Sequence, residues 1–282
     1  MRISVASGKG GTGKTLVATS LALSLLDEQK QVQLLDCDVE EPNAHIFFKS
    51  QPVSEERVTL PIPKVDYDKC EYCGKCTEVC QFKAIALLKR TLVIFPDVCH
   101  SCGGCWHLCP TGALQPVERE VGNVGISRAG PLELVSGRLK LGTHISPPVV
   151  KAVRQKEKPV TIVIIDGPPG SSCPVMAAVT DTDFCILVTE PTPFGLNDLS
   201  LAVEMLQVLG VSCGVVVNRD APGNDIIDRY CREKGLQILL RIPFQREIAR
   251  AYAKGIPLVK SDPLWREKFR DLYHRVAREV RQ

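Results

Sequence analysis

Residues 3–15 read ISVASGKGGTGKT. Residues 3–6 form a short apolar run, which predicts a buried strand. Residues 8–15, GKGGTGKT, satisfy G-x-x-x-x-G-K-[ST]. Residues 14–29 then carry helical periodicity with good helix formers, and residues 32–35 (VQLL) predict a second buried strand ending at Asp36. Strand, glycine loop, helix and strand in that order open a parallel α/β sheet. The glycines at 8, 10, 11 and 13, with Thr12 among them, allow backbone N–H groups to turn inward and cradle phosphate oxygens. Lys14 is expected to reach the β- and γ-phosphates, and Thr15 to offer its hydroxyl to Mg²⁺. The helix N-terminus adds partial positive charge there. A merely flexible glycine turn would not require the strand before it and the helix after it.

Two further strand ends carry carboxylates. Asp166 follows VTIVII (160–165) and opens DGPPG (166–170). A carboxylate at the carboxyl end of a parallel strand, beside a phosphate loop, suits Mg²⁺. Gly167 and Gly170 would let the backbone approach a γ-phosphate. Asp36 and Asp38 form D-C-D after the second strand, where the alternative role is that of a capping aspartate in a turn.

Farther along, Pro52, Pro61 and Pro63 interrupt a stretch without clear periodicity. Residues 132–141 (LELVSGRLKL) are expected to form a hairpin about Ser136-Gly137, and residues 147–157 a helix. Strands are predicted at 160–165, 184–188, 213–217 and 237–241. Helices are predicted near 196–209, 224–234, 246–254 and 263–280. The reading is therefore an α/β fold: a mostly parallel sheet flanked by helices, formed by residues 1–60 and 118–282. A small α+β module, residues 61–117, is inserted into it.

That module holds the unusual feature. Eight of the thirteen cysteines lie between Cys70 and Cys109. They repeat with a period of 29: Asp68, Cys70, Cys73, Cys76, Cys80, Ala84 and Ile85 map onto Asp97, Cys99, Cys102, Cys105, Cys109, Ala113 and Leu114. Each copy is a C-x2-C-x2-C-x3-C run, the ligand pattern of bacterial two-cluster [4Fe–4S] proteins. Three thiolates on a tight loop wrap one cluster, and the fourth points away toward the other. Cluster one is expected to take Cys70, Cys73, Cys76 and Cys109; cluster two takes Cys99, Cys102, Cys105 and Cys80. Structural zinc sites instead pair two C-x2-C halves a dozen or more residues apart. His100 and His107 flank the second run and read as exposed polar residues. Cys37, Cys185, Cys213 and Cys231 lie on apolar elements and read as core.

The formal net charge is 35 − 32 = +3, too small for a dedicated nucleic-acid binder. No apolar run reaches membrane-spanning length. The start, MRISVASGKGG, carries no signal-peptide pattern, so a cytoplasmic location with reduced thiols is expected.

With Lys9 early in the loop, KGGTGKT resembles the deviant Walker A loop of the MinD/ParA superfamily, which includes the nitrogenase iron protein. The resemblance implies that Lys9 reaches the nucleotide of an opposite subunit in an ATP-sandwiched dimer, either of this chain or with a paralogous ATPase. It implies that Asp38 is the switch I aspartate that positions the attacking water, although VEEPN (39–43) departs from some relatives. It implies adenine contacts at Asn218 and Arg219, and at backbone near Pro243 and Phe244 in IPFQREIARAYAKGIPL (242–258). Residues 64–117 resemble bacterial ferredoxins, with Gln81 replacing a frequent proline. Cys173 matches in offset a cluster ligand of the nitrogenase iron protein, but the sequence offers no second cysteine to complete such a set.

The expectation is an ATP-hydrolysing iron–sulfur protein that couples dimer closure to electron transfer, with an undefined redox partner or cluster acceptor. The first alternative is a metallocluster assembly or carrier ATPase of the Mrp kind, although the C-x-x-C that carries cargo in those relatives is missing. A third is a positioning ATPase, for which the amphipathic segment 264–282 would be the surface anchor; a core-facing terminal helix has the same stripe.

Overall fold

The computed structural model describes residues 1–159 and 162–281; Val160 and Thr161, the start of the strand expected at 160–165, and Gln282 lie outside the described residues. The chain opens with β1 (Arg2–Ser7), α1 (Lys14–Leu26) and β2 (Val32–Asp36). Next come β3 (Gln51–Val65), the cysteine region with α2 (Lys75–Val79), β4 (Ile85–Leu88), β5 (Thr91–Ile94) and α3 (Gly104–His107), and then β6 (Leu114–Ala129) and β7 (Leu132–Leu139). The α/β alternation resumes with α4 (Pro147–Arg154), β8 (Ile162–Pro169), α5 (Cys173–Val179), β9 (Phe184–Thr189), α6 (Pro193–Leu209), β10 (Cys213–Asp220), α7 (Ile226–Lys234) and β11 (Ile238–Pro243). Helices α8 (Arg246–Ala253), α9 (Leu258–Ser261) and α10 (Leu264–Glu279) close the chain.

Among the described residues the main sheet has nine strands in the order β11-β10-β9-β1-β8-β2-β7-β6-β3. From β11 to β7 neighbouring strands run parallel; β6 and β3 are antiparallel additions at one edge. The central strands β1, β2, β8 and β9 read as continuous apolar runs because helices cover both faces. On one face Leu21 and Leu25 of α1 pack with Phe269 and Leu272 of α10. On the other, Val175, Leu199, Val203 and Ile227 of α5, α6 and α7 form a second cluster. Trp265, Phe269, Leu272 and Val276 are all buried, so the stripe of the last helix faces the core.

Two expectations are corrected. Residues 132–141 are not a hairpin: Ser136-Gly137 lies inside β7, with Ser136 paired to Asp36 on one side and Gly125 on the other. Gly137 is there for closeness, not for turning. A Cβ on it would lie 2.6 Å from Val39 Cγ1 and 2.7 Å from Val153 Cγ2. The turn instead falls at Gly130, with φ 58°. Second, the stretch around Pro52, Pro61 and Pro63 is a 15-residue strand. It is exposed along most of its length, so it lacks a buried alternation. Its prolines sit on the edge of the sheet, where an N–H is dispensable.

β3 and β6 pair from Gln51↔Arg128 to Val65↔Leu114, with an extra residue on β3, Val53, at the Pro52/Ser54 step and one on β6, Val121, at the Val58/Thr59 step. β7 leaves β6 at the Gly122↔Leu139 pair. Beyond it the two strands run on as a ribbon to the cysteine region, so the boundaries at 60/61 and 117/118 fall inside paired strands. The hairpin Ile85↔Ile94 of β4 and β5 is the 29-residue repeat of the ribbon's end, since 114 − 85 and 94 − 65 both equal 29. Positive φ recurs with the same period, at Tyr72 and Ser101, Gly74 and Gly103, and Lys83 and Gly112.

Candidate functional site

Between Ser7 and Lys14 the chain turns from a central strand into a helix. Gly11 and Gly13 adopt φ of 77° and 101°, and a Cβ on Gly13 would lie 2.4 Å from Asn218 Nδ2. Gly8 is pinned against α6, where a Cβ would lie 2.3 Å from the Asp198 carbonyl oxygen. A cleft of about 590 Å³ opens above this loop at the carboxyl ends of the strands. Gly10, Gly11, Gly13, Lys14 and Thr15 line it, with Asp38 beyond β2, Asn218 and Arg219 of β10, and Pro243 and Phe244 at the end of β11. Residues far apart in sequence thus meet in one cavity.

Asp166 lies beneath the cleft. It is fully buried, and neither carboxylate oxygen has a hydrogen-bond partner among the described residues. Burial pushes its pKa up to about 7, against the opposing influence of the Thr15 hydroxyl and the Lys14 charge. Asp36 is equally buried, and burial together with the Asp166 charge raises its pKa well above the ordinary range. Its oxygens accept from the backbone N–H groups of Ala44 at 2.9 Å and Asp38 at 3.2 Å. The capping role in D-C-D therefore belongs to Asp36, which leaves Asp38 free to face the cleft. Burial raises the Asp38 pKa also, with Lys14 opposing.

Asn218 and Arg219 brace the loop as well as lining the cleft. Asn218 Nδ2 donates to the Thr12 carbonyl at 2.7 Å, and Asn218 Oδ1 accepts from the Arg219 N–H at 2.9 Å. Lys9 turns sideways: its Nζ lies 3.5 Å from Glu190 Oε2, and Arg219 Nη1 lies 2.8 Å from Glu190 Oε1. Thr12 is buried with an unpartnered hydroxyl. Gly170, at φ 98°, donates its N–H to the Ser7 carbonyl. Sequence reasoning missed Glu190, which follows a strand with no motif around it. It also missed Tyr252 of α8, which lines the cleft, packs against Phe47 in a tilted ring pair at 5.0 Å and has its pKa raised by burial.

The cysteines form two further groups. One cavity is lined by Cys70, Cys73, Cys76 and Cys109, the other by Cys80, Cys99, Cys102 and Cys105. Each draws three thiols from one run and the fourth from the other. All thirteen cysteines are free. Ala84 donates its N–H to Cys80 Sγ at 3.2 Å. At the equivalent Cys109, burial raises the pKa, but the N–H of Leu114, the Thr111 hydroxyl and the N–H of Ala113 outweigh it, so the thiol ends below its usual range. Burial pushes Cys105 up to about 11. Among the described residues no three His, Cys, Asp or Glu side chains converge as they would around one metal ion. Four thiols spread around a cavity do not suit a single zinc; they suit a polynuclear group. Cys173, exposed at the start of α5, belongs to neither set.

A sequence profile for the CobQ/CobB/MinD/ParA nucleotide binding domain matches residues 3–258. The chain belongs to this family. An uncharacterized protein of Methanocaldococcus jannaschii is 33% identical to it, over 98% of this chain and 96% of that one. An iron-sulfur cluster carrier protein of the same organism is 24% identical, over 99% of this chain and 84% of its own. The septum site-determining protein MinD of Pyrococcus horikoshii, solved with Mg-ADP, shares the fold: TM-score 0.59 at 20% identity, covering 98% of this chain and 95% of that one. In a nucleotide-binding domain of this family an unpartnered buried carboxylate beside Thr15 and Lys14 fits a divalent cation, which would supply the missing partner. Among the described residues no helix is long and apolar enough to cross a membrane.

Proposed function

We propose that this chain hydrolyses ATP sandwiched between two subunits, and that closure of the pair controls electron transfer through two [4Fe–4S] clusters. The observation that carries the reading is the pair of four-thiol cavities, each drawn from both cysteine runs, on a ribbon rooted beside Asp38. In this reading residues 61–117 are a ferredoxin-like unit inserted into an ATPase domain formed by residues 1–60 and 118–282. When bound, the clusters would supply one-electron redox chemistry.

The chain's own residues divide the remaining work. Backbone N–H groups of residues 8–13 and the Lys14 ammonium hold the phosphates. Thr15 and Asp166 hold Mg²⁺, and Gly170 stands where the backbone meets the γ-phosphate. Asp38 orients the attacking water, and Lys9 stabilises charge on the phosphoryl group of the opposite subunit. Asn218, Arg219, Pro243 and Phe244 surround the base. The eight cysteines between 70 and 109 supply thiolates. The partner is a second copy or a paralogous ATPase, and an undefined redox partner or cluster acceptor completes the pathway in the cytoplasm.

The test is anaerobic purification with iron and sulfide counted, expected near about eight of each per chain. Redox titration with and without ATP follows. A midpoint potential that moves on adding ATP supports the reading; zinc in place of iron, or potentials indifferent to ATP, overturns it. A second reading, cluster delivery, is favoured by relatives named iron-sulfur cluster carrier proteins in Methanocaldococcus jannaschii and Pyrococcus horikoshii. Its mark would be transfer of iron and sulfide to an apo-acceptor.

A further inference from the structure

Glu190 lies just past the end of β9, the strand next to β1. It is 8% exposed, an unusual degree of burial for a carboxylate. Two cations meet it: Lys9 from the phosphate loop at 3.5 Å and Arg219 from β10 at 2.8 Å. Arg219 also reaches the Gly11 carbonyl at 3.4 Å, from a left-handed backbone with φ 55°. The backbone at Glu190 is closely held. Its carbonyl accepts from Thr192 N–H at 2.8 Å, and a Cβ on Gly195 would come within 2.2 Å of that oxygen. Asn224 Nδ2 donates to the neighbouring Pro191 carbonyl.

We infer that Glu190 is a positioning residue: it holds Lys9 to its own subunit and so sets how readily two subunits close. The inference rests on the ATP-sandwich reading, in which Lys9 must cross to the opposite nucleotide. To cross, Lys9 has to leave Glu190. A buried carboxylate stripped of its only cation would strongly oppose that. The second cation removes the obstacle, because Arg219 stays behind and its fork can take both carboxylate oxygens. One acid shared by two cations therefore makes Lys9 releasable but not free. The Lys9–Glu190 pair is partly exposed, with the lysine side chain 36% accessible, so the restraint is of modest size.

Two variants test it. Glu190→Gln removes the charge. Glu190→Asp keeps the charge but draws both carboxylate oxygens back, which weakens first the Lys9 contact, already the longer of the two. Self-association is measured by sedimentation in Mg²⁺ and a non-hydrolysable ATP analogue. Both variants should associate at a protein concentration roughly 4- to 25-fold lower than the parent, the 2- to 5-fold of one partly exposed ion pair taken twice because closure releases a lysine from each subunit. Without nucleotide, Lys9 in both should acylate faster with an amine-reactive reagent, followed by mass spectrometry of the loop peptide. A purely structural role would lower Tm and leave association and acylation alone, and that outcome overturns the inference while the sandwich reading stands. If the parent itself never associates with the analogue bound, the sandwich reading falls and the inference falls with it.

Discussion

Asp166 has both carboxylate oxygens without hydrogen-bond partners among the described residues, in a fully buried setting. Its pKa, raised from 3.8 to about 7, makes it a cost to the fold once it ionises. The sign follows from linkage: a carboxyl whose folded pKa exceeds its unfolded value destabilises the native state increasingly as pH rises between the two. Asp166→Asn should therefore stabilise the metal-free protein at pH 8 by roughly 1–3 kcal/mol, below the ~4 kcal/mol into which the whole shift converts. The gain should shrink at pH 5. Urea denaturation at the two pH values measures it, and the same variant should lose Mg²⁺-dependent hydrolysis. Lys9 invites the complementary experiment. Lys9→Ala should leave ATP binding to the single chain intact, since its ammonium stands outside the cleft, yet cut hydrolysis by about 100-fold or more if it acts on the opposite nucleotide.

At the scale of elements, the crossed cysteine sets make an unusual forecast. Cys80→Ser removes a residue from the first run but should disturb the cluster held by Cys99, Cys102 and Cys105, leaving the Cys70 set intact. Paramagnetic resonance of the reduced protein separates the two. Gly137→Ala should destabilise by about 1–3 kcal/mol, because the new methyl meets Val39 and Val153 inside a packed layer; chemical denaturation reads this out. The central strands were legible because apolar runs such as 184–188 are buried on both faces. The phosphate loop and the cysteine runs were legible because fixed spacing carries their chemistry. β3 and β6 were not, since most of the ribbon is exposed and its buried root, at Val121 and Val124, is too short a stretch to show an alternation. Ser136-Gly137 misled because a glycine needed for close packing looks the same, in sequence, as one needed for a turn. Glu190 and Tyr252 were silent because their roles arise only when distant elements meet.

For the whole molecule, the ribbon makes the cysteine region separable. Replacing residues 66–113 by an Asn-Gly turn joins the paired residues Val65 and Leu114 in a tight hairpin. The shortened chain should fold, retain ATP hydrolysis and bind no iron, as metal analysis and a phosphate-release assay would establish. The root of the ribbon is tied to the chain beside the cleft. Leu139 donates its N–H to the Val39 carbonyl at 2.7 Å, next to Asp38, and Lys140 donates to Val121, the bulged residue, at 2.9 Å. Past that bulge the two strands mainly support each other, with Leu60 still packed on the core of the sheet and Arg119 paired to Asp97 of the cysteine region. Seven or so residues at about 3.3 Å each make a rod of roughly 20–25 Å, so a swing of about 10° where it is clamped would carry its far end roughly 4 Å. Tunnelling falls off exponentially with separation. If the proposed clusters sit at that far end, a fraction of an ångström gained or lost beside Asp38 would be geared up into a distance that decides whether an electron hops or stays.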